Sequence, residues 1–426
     1  MKRIFLMIMA IFVLVPAGIL ATQFLYDPGS NEPSAPVTDA AQQLARGNYL
    51  VRAGDCMACH TARGGQPFAG GRVIPTPFGD LYSPNITSDV ATGIGSWTAN
   101  DFWRALHNGK SKDGSFLYPA FPYTEYTKIT RTDAEAMFAY FQTLPAVKQP
   151  NKEHALRFPY NQRILLAGWR ALYFSPSVYQ PDSRQSAEWN RGAYLVQGLG
   201  HCVACHTTRN SVGASAGTDL AGGLIPTLGW YAPSLTADAE AGLGNWNKQH
   251  IVDLLKTGTS PRGTVFGPMA EVVRQSLQHL TDEDVGAMAG YLQSLPQTAP
   301  PAVVREMQVK GSQAEDVLKL GAKLYRDYCI ECHKASGSGI PPAYPPLAGN
   351  RAITMQSSIN PIRMVLNGGY PPSTEGNPRP YGMPPFGPVL TDAEVAAVVS
   401  YIRTSWGNNA PLVSPVQVSR YRAVPE

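Results

Sequence analysis

All six cysteines of this 426-residue chain lie in three copies of one motif, C-x-x-C-H. The copies are Cys56, Cys59 and His60; Cys202, Cys205 and His206; and Cys329, Cys332 and His333. A C-x-x-C pair followed directly by histidine is typical of covalent haem c attachment, in which the thiols bond to the porphyrin and the histidine binds the iron. Zinc is the alternative, but a structural zinc ion needs four ligands in one closed set, which three separate motifs do not supply. The sequence therefore predicts three haem c groups, with no cysteine left for a disulfide.

The segments around the motifs repeat as well, which indicates three tandem domains. The motifs are preceded by RGNYLV (46–51), RGAYLV (191–196) and LGAKLY (320–325). They are followed by AMFAYFQTLP, AMAGYLQSLP and AVVSYIRTSW, which bring Tyr140, Tyr291 and Tyr401 into register. The helices with these tyrosines are predicted to begin at capping boxes, namely Thr130 with Asp133, Thr281 with Asp284, and Thr391 with Glu394. We predict an all-α fold of three domains, each similar to a class I cytochrome c domain and wrapped around one covalent haem c.

The predicted boundaries are a membrane helix at 1–26, domains at 40–150, 186–298 and 312–408, an aromatic linker at 151–185, a proline-rich linker at 299–311 and an extended tail at 409–426. The aromatic linker contains LRFPYNQRILLAGWRALYFSP (156–176), whose apolar spacing is partly helical. Three positions stay open for it: between the first two domains, on a partner subunit, or on a membrane surface.

The N-terminus has the layout of a signal sequence, because Lys2 and Arg3 precede an apolar run from Ile4 to Ala21. Cleavage after Ala21 would put Ile19 at a position that prefers a small residue, so we predict an uncleaved signal-anchor. The run is close to the length that spans a bilayer, and the basic residues before it keep the N-terminus in the cytoplasm. The bulk of the chain is then expected at the periplasmic face of the bacterial inner membrane. The net charge of +4 and the lack of a basic run argue against a nucleic acid partner.

Two methionines are predicted to be distal iron ligands. Met269 and Met383 each lie in a Pro/Gly-rich loop before the late helix of the second and third repeats. A thioether opposite the histidine is common in electron-transfer haems and raises the reduction potential. The alternative for each is a core methionine that fills a packing gap. In the first repeat the same place is taken by Phe121, in YPAFPYTEY (118–126), and a phenyl ring cannot bind iron.

The first repeat offers no other clear distal ligand. Met137 aligns with Met288, which indicates a helix core position, and Met57 lies inside its own motif and points away. His107 comes just before Gly109, at what we predict to be a solvent-exposed helix end. The first haem is therefore predicted to be five-coordinate or closed by a group from outside its domain, with a reduction potential below those of the other two. The alternative is that the phenylalanine only excludes water from the distal side.

The chain resembles the triple-haem cytochrome c subunits of membrane-bound alcohol and aldehyde dehydrogenase complexes of acetic acid bacteria and their relatives. The resemblance covers about residues 40 to 408 and rests on RGNYLVRAGDCMACHT, TPFGDLYSPNIT, TGIGSW, LGHCVACHT, GWYAPSLT, FGPMAEVV, VLNGG and YIRTSWGN. It implies an electron-transfer subunit that is not catalytic alone and that passes electrons from a large catalytic subunit through three haems c to ubiquinone in the respiratory chain. The large subunit would carry a molybdenum cofactor, pyrroloquinoline quinone (PQQ) or flavin. A small subunit, for which iron–sulfur clusters are one option, would complete the complex.

The resemblance also implies a role for each motif residue. The six cysteines attach haem, His60, His206 and His333 are proximal ligands, and Met269 and Met383 are distal ligands. In the branch that serves PQQ-dependent alcohol dehydrogenases the first loop usually reads YPAMPY, whereas this chain has YPAFPY. Together with RFPYNQR (157–163), the phenylalanine favours the branch that serves molybdenum hydroxylase-type aldehyde dehydrogenases. The PQQ-dependent alcohol dehydrogenase branch is the alternative.

Two functions of other classes stay open. A haem enzyme that uses an open first haem would need an acid–base pair near Phe121, where Tyr118, Tyr123 and Glu125 lie but no histidine or arginine does. A soluble electron shuttle would lack residues 1–21. Within the relay, electrons are expected to run from the third haem to the first, which follows the anchor most closely and would lie beside the quinone.

Overall fold

The computed structural model describes residues 14–15, 18, 21–25, 27, 39–217, 219–225, 227–238, 241–297 and 312–422. Most of the predicted membrane helix at 1–26 and all of the linker at 299–311 lie outside these residues. Within the described part of the chain, no helix is both long enough and apolar enough to cross a bilayer. The chain divides into two compact units, the first comprising Met1–Ser183, Tyr194–His201 and Ser211–Ala214, and the second Arg184–Ala193, Cys202–Asn210 and Ser215–Glu426.

The first unit contains one copy of the motif and one small sheet. Its helices are α1 (Ala40–Ala53), α2 (Cys56–His60), α3 (Ala99–Asn108), α4 (Tyr123–Tyr126), α5 (Arg131–Thr143) and α6 (Leu166–Tyr173), with a 3-10 turn at Arg163–Leu165 and a π-helical turn at Leu195–Leu199. Its strands are β1 (Val73–Thr76), β2 (Gly79–Tyr82) and β3 (Ala155–Leu156), which form one antiparallel sheet in the order β1-β2-β3.

The second unit contains the other two motifs. Its helices are α7 (Ala187–Tyr194, whose last residue belongs to the first unit), α8 (Val203–His206), α9 (Lys248–Thr257), α10 (Pro268–Gln275), α11 (Asp282–Ser294), α12 (Ser312–Tyr328), α13 (Ile330–His333), α14 (Arg351–Thr354), α15 (Ile359–Asn367), α16 (Asp392–Thr404) and α17 (Pro415–Arg422). A 3-10 turn spans Leu277–His279, and two antiparallel hairpins pair β4 (Gly223–Ile225) with β5 (Trp230–Ala232) and β6 (Thr259–Ser260) with β7 (Gly263–Thr264).

The fold is mostly helical, but the prediction of an all-α fold is wrong for the loops after the motifs. In the first unit, Val73 faces Tyr82 across a hairpin that turns at Pro77 and Phe78. Proline cannot continue a helix, and Gly79 adopts a positive φ of 122° at the turn, so this segment closes by strand pairing instead. Part of the predicted aromatic linker joins the same sheet as strand β3.

The predicted helix starts are confirmed. The hydroxyls of Thr130, Thr281 and Thr391 each accept a hydrogen bond from the backbone N–H of the third helical residue of α5, α11 and α16. In α16 the capping box is reciprocal, because the carboxylate of Glu394 accepts from the N–H of Thr391. The aspartates at the same place in α5 and α11 bind arginines instead: Arg46 Nε donates to Asp133 at 2.6 Å, and Arg191 Nε to Asp284 at 2.7 Å.

A glycine marks the point where an early and a late helix cross in each repeat. A Cβ atom at Gly47 would lie 2.0 Å from the carbonyl oxygen of Ala136, one at Gly192 would lie 2.1 Å from that of Ala287, and one at Gly321 would lie 2.2 Å from that of Ala397. Tyr140, Tyr291 and Tyr401 stand beside these crossings, with their Cβ atoms 2.9, 2.9 and 2.8 Å from the same three positions. The tyrosine register that the sequence predicts is therefore confirmed. Only glycine lets the α1–α5, α7–α11 and α12–α16 backbones approach this closely.

Candidate haem sites

Each C-x-x-C-H motif forms a short helical turn that follows a longer helix: α2 follows α1, α13 follows α12, and α8 follows α7 after the π-helical turn Leu195–Leu199. Residues three apart on a helix lie on one face, so the two cysteines of each motif point the same way. None of the six cysteines, all of which lie in the described residues, forms a disulfide, and Cys59 and Cys205 are exposed. The turn thus presents two cysteines and a histidine from one short segment, with the first cysteine of each motif half-buried.

The histidine of each motif is oriented by a proline carbonyl. The Nδ1 atom of the imidazole lies 2.8 Å from the carbonyl oxygen of Pro84 in His60, 2.7 Å from that of Pro233 in His206, and 3.1 Å from that of Pro345 in His333. A carbonyl oxygen can only accept, so Nδ1 must carry the proton and donate it. The Nε2 lone pair is then available, which is the arrangement that metal-binding histidines commonly use.

A glycine in the loop after each motif lets the proline segment approach. The N–H groups of Gly70, Gly222 and Gly339 donate to the carbonyls of His60, His206 and His333 at 2.8, 2.8 and 3.1 Å. These glycines have φ values of 76°, 88° and 65°, in the region that disfavours other residues. A Cβ atom at Gly70 would lie 2.4 Å from the carbonyl carbon of Pro84, so a larger residue would push the proline away from the histidine.

Burial lowers the pKa of all three motif histidines. Desolvation is the largest cause in each case, and the proline carbonyl acts against it. For His206 the pKa falls to about 4, with a smaller contribution from the positive charge of Arg351. The imidazoles are therefore neutral at neutral pH, the form in which histidine binds a metal ion.

The two predicted distal methionines differ in their surroundings. Met383 lies in a loop whose backbone pairs with Gly369 through two hydrogen bonds of 2.8 and 2.9 Å. Its side chain packs against the same apolar cluster as Cys329 and Ile330 of the third motif, and its role as a ligand stays a prediction. Met269 is the second residue of α10, so the prediction that it lies in a loop is wrong; Pro268, which favours the first turn, starts the helix there. Its role as a ligand stays a prediction.

Phe121 stands in a row of aromatic side chains beside the first motif. Its ring centroid is 5.4 Å from that of Tyr126, whose hydroxyl donates to the carbonyl of Gly54 at 2.7 Å. The ring of Tyr126 is in turn 5.4 Å from that of His201 in an edge-on contact. The sequence does not single out His201 as a candidate, because only its position in this row distinguishes it.

The prediction that His107 lies at a solvent-exposed helix end is wrong. Helix α3 does end at Gly109, which has a φ of 59°, but His107 is only 3% exposed. Its ring stacks on Trp103 at 4.4 Å, and its Nδ1 donates to the carbonyl of Thr127 at 2.9 Å. These contacts explain its burial as structural. Met137 is also buried, as its predicted place in a helix core requires.

A helical repeat that presents two thiols and a carbonyl-oriented histidine from one turn defines the cytochrome c class of protein. The cytochrome c family model matches residues 190–296 and 318–406. The cytochrome c subunit of the quinone alcohol dehydrogenase of Gluconacetobacter polyoxogenes is 38% identical to this chain, over 94% of this chain and 88% of the relative. The cytochrome c subunit of the gluconate 2-dehydrogenase of Pantoea cypripedii is 41% identical, over 86% of each. The cytochrome subunit of the fructose dehydrogenase of Gluconobacter japonicus is 35% identical, over 92% of this chain and 85% of the relative. The chain belongs to the family of dehydrogenase cytochrome c subunits.

Proposed function

We propose that this chain is an electron relay that carries three covalent haem c groups and passes electrons from a catalytic dehydrogenase subunit to ubiquinone. The observation that carries the proposal is the imidazole–proline hydrogen bond, which recurs at all three motifs with the same polarity. Each haem, when bound, supplies an iron that gains and loses one electron. The repeated helix crossings support a division into three haem domains at 40–150, 186–298 and 312–408.

The chain's own residues have distinct roles in this relay. The six motif cysteines would hold the porphyrins, and His60, His206 and His333 would bind iron through Nε2. Met269 and Met383 would close the distal sides of the second and third sites with thioethers, which favour the reduced state. Phe121 offers no donor atom, so the first site would hold its iron without a methionine and have a lower potential.

The partner is proposed to be a large catalytic dehydrogenase subunit, because relatives of this chain are named as cytochrome subunits of such enzymes. The YPAFPY loop with Phe121 and the segment RFPYNQR favour a molybdenum-cofactor aldehyde dehydrogenase. The second candidate is a PQQ-dependent alcohol dehydrogenase, which is favoured by the relative named as an alcohol dehydrogenase (quinone) subunit. A small subunit, with iron–sulfur clusters as one option, would complete the complex.

The surface of the first unit supports a position at the periplasmic face of the inner membrane. Phe158 and Leu172 are 80% and 76% exposed, and Ile164 and Leu165 are also exposed, while Ala167 on the opposite side of α6 is buried. An exposed apolar face of this kind is typical of a helix that lies in the membrane interface. Of the three positions considered for the aromatic linker, we therefore favour the membrane surface.

The end of the N-terminal apolar segment docks beside the same helix. The ring of Phe24 packs on that of Phe116 with centroids 4.6 Å apart, and Asp27 pairs with Lys110 at 2.5 Å. Arg170 of α6 donates to the side chain of Gln23 at 3.2 Å. A membrane anchor that ends here would bring the apolar face of α6 to the bilayer surface, close to the quinone pool.

Haem content is the first test of the proposal. Purified full-length protein is expected to contain three covalent haems, measured by pyridine haemochrome absorption and by intact mass. The double variant C56S/C59S is expected to contain two, because thioether bonds to the first haem can no longer form. The matched control is M57L, which changes a residue inside the same motif and should keep three. Fewer than three haems in the unaltered protein would overturn the proposal.

The second test is the identity of the partner. When the chain is purified from detergent-solubilised membranes of its own cells, it is expected to bring a dehydrogenase catalytic subunit with it. Metal analysis for molybdenum and absorption analysis for PQQ then distinguish the two candidates. The intact complex should reduce a short-chain ubiquinone when given the substrate. Recovery of the chain alone from the soluble fraction would contradict the membrane relay and favour a soluble shuttle.

A further inference from the structure

Arg351 follows the third motif in sequence, but its side chain reaches the loop that follows the second motif and contains Pro233. Its Nη1 donates to the carbonyl of Ser234 at 3.1 Å and to that of Ala241 at 3.0 Å. Its guanidinium carbon lies 5.3 Å from the ring centroid of Trp246. All of these residues belong to the second compact unit.

This contact lies next to the group that orients the second histidine. Ser234 directly follows Pro233, whose carbonyl accepts from His206 Nδ1 at 2.7 Å. Burial lowers the pKa of Arg351 to about 10, so the guanidinium stays charged at neutral pH. Within the described ranges, Arg351 makes no ion pair with a carboxylate.

The residue after the proline in the first motif's loop has neutral partners. The backbone N–H of Asn85, which follows Pro84, donates to the side-chain oxygen of Asn151 at 2.7 Å. Its side-chain nitrogen donates to the carbonyl of Val147 at 2.7 Å. The residue after the proline thus bonds to a guanidinium at the second site and to neutral groups at the first.

We propose that Arg351 is a positioning residue of the second haem site, which holds the backbone at Ser234 and Ala241 and raises the reduction potential of that site with a fixed positive charge next to the proline that orients His206. The inference rests on the proposed function, because it needs a haem at the second motif. The oxidised site carries one more positive charge than the reduced site, and a nearby cation therefore favours the reduced state. Ser234 and Ala241 are buried, which limits screening of this charge by solvent and salt.

The test is a potentiometric titration of the full-length protein, followed by haem absorption with soluble redox mediators as electron donors. R351Q is expected to lower the reduction potential of one of the resolved haem transitions by ~59 mV. This shift corresponds to an about tenfold change in the equilibrium constant of a one-electron reduction. R351K keeps the charge and should retain most of the potential. The matched control is R262Q, because Arg262 also lies over the Trp246 ring, at 5.5 Å, but is exposed and makes no side-chain bond to the loop carbonyls in the described structure.

A second variant tests the charge without removing the arginine. A241D introduces a carboxylate at the residue whose carbonyl Arg351 binds, and it should lower the same transition as R351Q. Haem content is measured for the unaltered protein and for every variant. A missing haem in the unaltered protein would count against the proposed function and not against the proposed role of Arg351. Three haems with unchanged potentials in R351Q or A241D would overturn the inference. Equal shifts in R351Q and R351K would also overturn it, since lysine preserves the charge.

Discussion

Replacing Gly192 by alanine is expected to destabilise the second repeat by about 3 kcal/mol, because the new methyl group has no space. Its Cβ would lie 2.1 Å from the carbonyl oxygen of Ala287 and 2.9 Å from the Cβ of Tyr291. Both neighbours are fixed by helix α11, so α7 must move away as a whole. A separation of these helices would loosen the turn that presents Cys202 and His206, since only the short segment with the π-helical turn Leu195–Leu199 connects that turn to α7.

The matched control is G286A, in the helix that Gly192 contacts. A Cβ at Gly286 would meet nothing within 4 Å, so alanine there should stabilise the helix by about 0.5 to 1 kcal/mol. The free energy of unfolding is measured by urea titration of the full-length protein, followed by far-ultraviolet circular dichroism. G47A and G321A should behave as G192A does, because their Cβ atoms would lie 2.0 and 2.2 Å from a carbonyl oxygen. Equal stability of G192A and G286A would contradict the close helix crossing.

The features that the sequence predicts correctly depend on contacts between near neighbours in the chain. A threonine before a helix bonds to an N–H three residues later, so Thr130, Thr281 and Thr391 can be read directly from the sequence. The glycine of RGNYLV and the tyrosine of AMFAYFQTLP can be aligned because they repeat. Their direct contact at the helix crossing is visible only in three dimensions.

The features that the sequence does not predict depend on distant contacts. The side chain of Arg351 reaches Ser234, and no periodicity in the sequence links the two. The position of His107 just before Gly109 predicts an exposed helix end, but Trp103 one turn earlier and the Thr127 carbonyl bury it. Aligning YPPLAG (344–349) with YSPNIT (82–87) would point to Pro346 as the proline that orients His333, but the structure shows that its neighbour Pro345 does so.

Replacing Phe121 by methionine is expected to give the first haem site the thioether that the other two repeats have. Phe121 is partly buried and packs on Tyr126, and methionine is flexible enough to fill a similar volume. The oxidised F121M protein should lose a high-spin signal in its electron paramagnetic resonance spectrum. The lowest reduction potential of the three should also rise, because a thioether favours ferrous iron.

The control for this change is F121L, which removes the ring without adding sulfur. If the ring only keeps water from the iron, F121L and F121M should alter the spectrum alike; if the missing ligand sets the potential, only F121M should raise it.

The reverse change, M383L, is expected to create a high-spin signal and lower one potential, since Met383 packs with Cys329 on the same apolar cluster. A fully low-spin spectrum of the unaltered oxidised protein would show that another side chain already closes the first site. His201, at the end of the Phe121–Tyr126 row, would then be the first residue to replace.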